Sequence, residues 1–294
     1  NRNVMFSIFS REKKILGLHI TEEFIRYALV SKSAKENKVI SLGEEKIARV
    51  EPRNALLSAL RNVLRKTEQR NAHLSFPPDF VRTETVSVAF GASKKDVLNQ
   101  IEFRLKERLL LSHGESVLYF EKFESVNNKD FYNVFISSAE NVDFLKSVFV
   151  NSGLSVKKII STKDALLASC VKTGEIVNTM VLNADTRRTD IAIFSPFNRF
   201  RGISSFSERE KVPSLIKDTY QDFYNISRDK VGYFFVCGLF AKEPSFINFL
   251  SRETRLPVQE ADVFCNFYFK SGEVPVVTRE ESLVYAVALG TAIS

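Results

Sequence analysis

Residues 15–30, ILGLHITEEFIRYALV, contain two apolar runs separated by the polar residues 21–23. The runs predict two β-strands joined by a tight turn, because short apolar segments that flank a polar turn are typical of a hairpin. Residues 180–194, MVLNADTRRTDIAIF, repeat this layout, with Asn183 in the position of His19. The repeat predicts an α/β protein of two related halves that face each other across a cleft.

The rest of the chain alternates strands with helices, which indicates helices packed on the faces of sheets. Residues 79–160 have the order strand, helix, two strands, helix, strand, which predicts an inserted α+β module. A last helix is predicted over residues 280–289, ended by the glycine that follows it. These patterns divide the chain into a first half, residues 1–164, that contains the module, and a second half, residues 165–294, whose last helix can pack back on the first half.

Charge and composition exclude several classes of function. The formal net charge is +7, but the basic residues are interspersed with 35 acidic residues and form no basic block, so we expect no nucleic-acid binding. A peripheral contact with an anionic membrane accounts for the charge equally well. The Cys and His residues are scattered without ligand spacing, which predicts no metal site.

Several short motifs resemble the actin-like superfamily, and within it the PilM family of type IV pilus assembly proteins. Residues 15–20 resemble the family's first strand, residues 236–238, VCG, its adenosine loop, and residues 289–292, LGTA, its closing helix. The resemblance covers nearly the whole chain and implies duplicated ribonuclease-H-like halves with an inserted small α+β subdomain. Only residues 195–231 separate the second turn from the adenosine strand, so we expect the lid subdomain of the second half to be reduced or missing.

The same resemblance places two phosphate loops at the two turns. Such loops use an Asp that holds Mg²⁺ through water, and glycines that let backbone N–H groups approach phosphate. Here carboxylates in the turns would repel a triphosphate and the missing glycines would block its approach. We therefore expect no cofactor, no metal and no catalysis, although arginines in the second turn favour residual ATP binding. The vestigial positions are His19, Thr21, Glu22, Asn183, Asp185, Arg187 and, in the adenosine loop, Gly238.

A partner-binding groove is the second implication of the resemblance. In the PilM family, the cytosolic N-terminal tail of a membrane protein, PilN, docks between the first half and the inserted module. An extended apolar peptide suits a groove with aromatic walls and a free strand edge. The alternative is that the aromatic rings in and beside the module fill its own core. The candidate partner-binding residues are Phe80, Phe90, Phe120, Phe123 and Tyr132.

These features predict a non-catalytic cytoplasmic scaffold at the inner face of the inner membrane. It would bind the tail of a PilN-like protein and contact other pilus or secretion platform and motor proteins. Two alternatives stay open: an ATP-binding actin-like protein of the FtsA kind, and the cytoplasmic domain of a type II secretion GspL-like protein. A sugar or acetate kinase is disfavoured, because no second carboxylate or substrate motif accompanies the turns.

Overall fold

The structure is a computed structural model. It describes residues 12–33, 36–48, 52–75, 82–107, 116–126, 128–186, 188–195, 201–205, 211–227, 230–269 and 277–294. The strands are β1 (Lys13–Ile20), β2 (Phe24–Lys32), β3 (Asn37–Lys46), β4 (Asn71–Ser75), β5 (Arg82–Ala89), β6 (Ser116–Val126), β7 (Lys129–Ser138), β8 (Ser155–Ile160), β9 (Thr179–Ala184), β10 (Thr189–Phe194), β11 (Arg201–Ser205), β12 (Tyr233–Cys237) and β13 (Val258–Glu260). The α-helices are α1 (Pro52–Thr67), α2 (Lys94–Glu107), α3 (Ala139–Ser152), α4 (Thr162–Cys170), α5 (Val212–Ser227), α6 (Pro244–Thr254), α7 (Arg279–Ser282) and α8 (Ala286–Ile293).

Two five-stranded sheets have the same topology. The first has the order β3-β2-β1-β4-β8, and the second has the order β11-β10-β9-β12-β13. In each sheet the first two strands along the chain pair as an antiparallel hairpin. The fourth strand then pairs in parallel with the first. The repeated sequence pattern therefore corresponds to a repeated fold, and each of its two copies forms the hairpin that was predicted.

The helices and sheets are stacked in layers. Helices α1 and α3 cover one face of the first sheet, where Leu60, Val63 and Phe149 join its buried apolar side chains. Helices α4 and α8 pack against each other and lie between the two sheets. Helix α5 packs on β10 and β11 and against α6. The predicted return of the last helix to the first half is therefore present, because α8 packs on β1 and β2.

Glycine permits the close packing of α4 and α8 between the sheets. A Cβ at Gly290 would overlap the backbone carbonyl of Ala165 in α4, and a Cβ at Gly17 would overlap the backbone of α8 at Ala288. The prediction that the last helix ends before Gly290 was wrong. The described residues form α7, a 3₁₀ turn (Leu283–Tyr285) and α8, and Gly290 lies inside α8. Its conformation is helical, so Gly290 is required by the close contact and not by a left-handed cap.

The inserted module is smaller than predicted. It contains a three-stranded antiparallel sheet of order β5-β7-β6, and α2 packs on it through Val97, Ile101 and Leu105. The prediction extended the module to residue 160, but α3 packs on α1 and β8 pairs in parallel with β4. Both elements belong to the first half. Parallel pairing between distant strands leaves no periodic signal, which is why the boundary was misplaced.

No helix in the described parts of the chain combines the length and apolar character needed to cross a bilayer.

The substitution Gly290→Ala should reduce the free energy of unfolding by about 3 kcal/mol, because a side chain there must push α4 and α8 apart. Urea denaturation measures this change. The control is Gly91→Ala, where a Cβ has no neighbour within 4 Å and the cost comes only from a φ of +74°, about 1 kcal/mol. An equal loss in the two variants would contradict the packing role of Gly290.

Candidate functional site

The turn between β1 and β2 is closed by hydrogen bonds of Thr21. Its backbone N–H donates to the carbonyl of Phe24 at 2.8 Å. Its Oγ1 accepts the backbone N–H groups of Phe24 at 3.0 Å and of Glu23 at 3.3 Å. The N–H groups of Glu23 and Phe24 therefore point at a side chain of the turn itself. Glu22 is exposed at its tip, where a carboxylate would repel phosphate.

The turn between β9 and β10 is held by the carboxylate of Asp185. The backbone N–H of Asp185 donates to the carbonyl of Arg188 at 2.9 Å. One carboxylate oxygen, Oδ1, accepts the backbone N–H of Leu239 at 3.1 Å. Arg26 Nη1 donates to both carboxylate oxygens, at 3.1 and 2.9 Å. Asp185 thus binds two groups from different elements.

Arg26 joins the two halves of the molecule. It lies on β2, its side chain is 4% exposed, and its Nε donates to Glu44 Oε2 on β3 at 2.9 Å. Its other contact, with Asp185, crosses to the second half. Burial alone would lower the pKa of Arg26, but the charge of Asp185 and the hydrogen bonds of Glu44 and Asp185 outweigh burial and raise it. The guanidinium is therefore permanently charged and bound on both sides.

Gly238 keeps the adenosine-loop position close to the second turn. Its φ is +88°, and a Cβ there would lie 2.6 Å from the carbonyl oxygen of Ala184. The next residue, Leu239, gives its N–H to Asp185. The one glycine that remains of the predicted loop is explained by this close approach of two chain segments, and the neighbouring N–H is already bonded.

A second buried ion pair lies behind the turn. Arg188 donates through Nε and Nη2 to Asp190, at distances of 2.7 to 2.9 Å, and Asp190 is fully buried. Asn183 Nδ2 lies 3.4 Å from Asp190 Oδ2. Both carboxylates of the second hairpin are therefore neutralised by arginine. Arg187 lies outside the described residues.

His19 is buried in the cleft and uncharged. It is 1% exposed, and neither ring nitrogen has a hydrogen-bond partner among the described residues. Burial, and then the positive charges of Arg26 and Arg188, hold its pKa well below the usual 6.5. A neutral imidazole therefore occupies the position at which the actin-like resemblance places a metal-binding Asp. In the described parts of the chain, no group of three His, Cys, Asp or Glu side chains could hold a metal ion.

The sequence pattern identified the two turns and the arginines of the second turn but missed Arg26, which lies between the turns. Neither Arg26 nor Glu44 lies in a motif that resembles the actin-like superfamily, so the resemblance assigned them no role. One signal was present: Arg26 is a charged residue inside the apolar strand segment FIRYALV. A charge at such a position needs a buried partner, but the sequence does not tell which carboxylate supplies it.

An apolar groove lies between the first half and the module. Its volume is about 460 Å³, and its walls come from α3, β6, β7 and β8. Tyr119 and Phe135 form the module side, with ring centroids 5.7 Å apart. Exposed apolar side chains surround the opening: Tyr119 is 57% exposed, Val150 is 76% exposed and Ile159 is 44% exposed. The lining residues are Tyr119, Phe135, Ser137, Val142, Leu145, Lys146, Phe149, Val150, Leu154, Ser155, Val156 and Ile159.

Of the predicted partner-binding residues that the structure describes, Phe90, Phe120 and Tyr132 are not among the residues that line this groove. Phe120 and Tyr132 face the opposite side of the module sheet, pack edge to face at 5.8 Å and join the core beneath α2. Phe90 is 63% exposed and lies near Lys122 at the far end of the module. Phe80 and the side chain of Phe123 lie outside the described residues.

Strand alternation explains why Tyr119 lines the groove and Phe120 does not. Neighbouring residues on a strand face opposite sides of the sheet, so Tyr119 lines the groove while Phe120 fills the core. Phe135 and Val134 alternate in the same way on β7. The sequence showed aromatic residues on both faces, and only the position of α2 decides which face is covered.

The fold is similar to solved structures of actin-like proteins. A chain of the PilM–PilN type IV pilus biogenesis complex matches with a TM-score of 0.75 at 15% identity, over 96% of this chain and 98% of that chain. The cytoplasmic domain of EpsL, an inner membrane component of the type II secretion system of Vibrio cholerae, matches with a TM-score of 0.53 at 11% identity, over 77% and 83%. A Bacteroides thetaiotaomicron protein with an actin-like ATPase fold and unknown function matches with a TM-score of 0.52 at 9% identity, over 86% and 93%.

No family model and no curated protein matches the chain. At such low sequence identities the structural matches establish the fold. The protein has an actin-like α/β fold, as predicted, and it resembles PilM and the cytoplasmic domain of EpsL.

Replacing Arg26 with Met should lower the free energy of unfolding by about 3 kcal/mol, because Asp185 then stays in the cleft without its cation. The double variant Arg26→Met/Asp185→Asn should lose less than the sum of the single changes. Arg252→Met is the control, since Arg252 pairs with Glu253 on the surface and should have little effect. Additive losses in the double variant would show that Arg26 and Asp185 do not interact.

His19 should make the protein less stable in mild acid. The unfolded chain binds a proton near pH 6.5 that the folded protein excludes, so the free energy of unfolding falls as pH drops below 6.5. For one proton, the free energy of unfolding changes by up to about 1.4 kcal/mol per pH unit. His19→Asn, which copies the second half, should reduce this slope, and His73→Asn should change it less. An unchanged slope in His19→Asn would contradict the buried neutral imidazole.

Proposed function

We propose that this protein is a non-catalytic scaffold of a type IV pilus or related secretion platform. It binds the extended cytosolic tail of a single-pass, PilN-like membrane protein in the groove between the first half and the module. It therefore works on the cytoplasmic side of the inner membrane and passes contacts to other platform and motor proteins. The observation that carries the proposal is the apolar groove with its exposed hydrophobic opening.

The shape of the groove suits an extended peptide. In the described part of the chain, β8 lies at the edge of the first sheet and β6 at the edge of the module sheet. An edge strand presents backbone N–H and C=O groups to a further strand. Residues of both strands line the groove, so a peptide there can bond to a strand edge while its alternate side chains enter the apolar space.

The exposed side chains at the opening also favour an apolar partner. Exposed apolar surface of this kind, gathered around a concave site, is typical of a protein–protein contact. Val150 is the most exposed of these residues, at 76%. Contact with a partner removes it from water, and burying one such side chain contributes about 1.5 kcal/mol or more.

The filled cleft supports the non-catalytic part of the proposal. A polyphosphate between the turns would have to displace Arg26 from Asp185 and take the N–H of Leu239 from the same carboxylate. The exposed carboxylate of Glu22 would add repulsion. An ATP-binding role of the FtsA kind is therefore disfavoured.

A type II secretion platform is the second setting for the same scaffold. The similarity to the EpsL cytoplasmic domain favours it. The groove and the filled cleft have the same roles in this setting, and the identity of the membrane partner distinguishes the two.

The experiment is a calorimetric titration with a synthetic peptide, the cytosolic N-terminal tail of a PilN-like protein from the same organism. The wild-type protein should bind the peptide. Val150→Asp should weaken binding by about tenfold or more, because it places a charge in the apolar opening. Ile176→Asp is the matched control, since Ile176 is 81% exposed and lies outside the groove.

If Val150→Asp leaves the affinity for the tail unchanged, the peptide binds outside the groove. An equal loss in Ile176→Asp would indicate a general effect of charge. Absence of binding by the wild-type protein would remove the support for a tail-binding scaffold.

A further inference from the structure

Basic side chains gather at one end of the first sheet, away from the two turns. Lys13 and Lys14 begin β1, and Lys32, at the end of β2, is the register partner of Lys13. Lys158 lies on β8, and Arg70 immediately precedes β4. We call these residues the lysine-rich end. Lys32 and Lys158 both donate to backbone carbonyls at the end of α8, which brings separate strands to one place.

The lysine-rich end carries an excess of positive charge. Lys13, Lys14, Arg70 and Lys158 are exposed. Burial and then the charges of Lys158 and Lys13 lower the pKa of Lys32, so the basic groups act on each other electrostatically. In the described part of the chain, three exposed acidic residues lie close to these basic residues in sequence, namely Glu12, Glu36 and Glu68.

The lysine-rich end and the groove share strand β8. Ser155, Val156 and Ile159 line the groove, and Lys158 lies between the last two in sequence. The Ser155 N–H donates to the carbonyl of Arg70 at 2.8 Å. A peptide that leaves the groove at Ser155 therefore passes directly beside the lysine-rich end.

We propose that the lysine-rich end binds the anionic headgroups of a phospholipid bilayer and so turns one end of the groove toward the membrane. Each Lys or Arg at an anionic surface contributes about 1 kcal/mol, within a screening distance of about 8 Å at physiological salt. The basic residues come from separate strands and form a broad end surface, which suits a sheet of headgroups. The choice of a membrane rests on the proposed function, whereas binding of lipid is measured independently of it.

The test is flotation of the purified protein with vesicles. Vesicles of phosphatidylcholine containing phosphatidylglycerol should carry the protein at low salt, and added NaCl should release it. Vesicles of phosphatidylcholine alone should not bind. The variant Lys13→Gln/Lys14→Gln/Arg70→Gln/Lys158→Gln should lose at least about tenfold in partition.

The matched control carries the same loss of charge at exposed positions elsewhere: Lys94→Gln/Lys95→Gln/Lys217→Gln/Lys230→Gln. It should bind vesicles like the wild-type protein. An equal loss in the control would show that only net charge matters and would overturn the proposal. Absence of vesicle binding, with binding to duplex DNA that depends on the same lysines, would also overturn it.

Titration with the tail peptide distinguishes a failure of this proposal from a failure of the proposed function. The quadruple variant at the lysine-rich end should bind the peptide with wild-type affinity. If the peptide binds and vesicles do not, the membrane surface is wrong and the groove stands. If vesicles bind and the peptide does not, the tail-binding function is wrong and the membrane surface stands.

Discussion

The ion pair between Arg26 and Asp185 is the contact on which the rest of the account depends. It crosses the cleft between the halves, and Asp185 also holds the N–H of Leu239. A buried pair of this kind fixes one arrangement more than it adds stability. It lies at the two turns where the actin-like resemblance places the phosphate loops, and the proposed function treats this cleft as a structural contact between the halves.

The packing of the inner helices adds a second close contact between the halves. Gly17 and Gly290 allow α8 to contact both β1 and α4 at backbone distance. Since α8 comes from the second half and β1 from the first, the two sheets cannot separate without breaking this contact.

The sequence predicted the parts of the fold that are local. Both hairpins follow from their apolar runs, and the replaced residues His19 and Asp185 were found because the hairpins repeat. Features that depend on distant contacts were not predictable. The partner of Arg26 lies in the other half, Gly290 serves α4 and not its own helix end, and β8 pairs with β4 across the module. The groove was expected, but Tyr119 could not be distinguished from Phe120 without the position of α2.

The two proposals together imply a direction for the protein, from a membrane surface at the lysine-rich end along β8 into the apolar groove. The central claim, that the cleft is filled by the protein itself, is tested most directly by calorimetric titration of ATP with Mg²⁺ into the purified protein. The account predicts no binding at millimolar nucleotide, because Arg26 and Asp185 are paired with each other across the cleft. Saturable, Mg²⁺-dependent binding with micromolar affinity would contradict it.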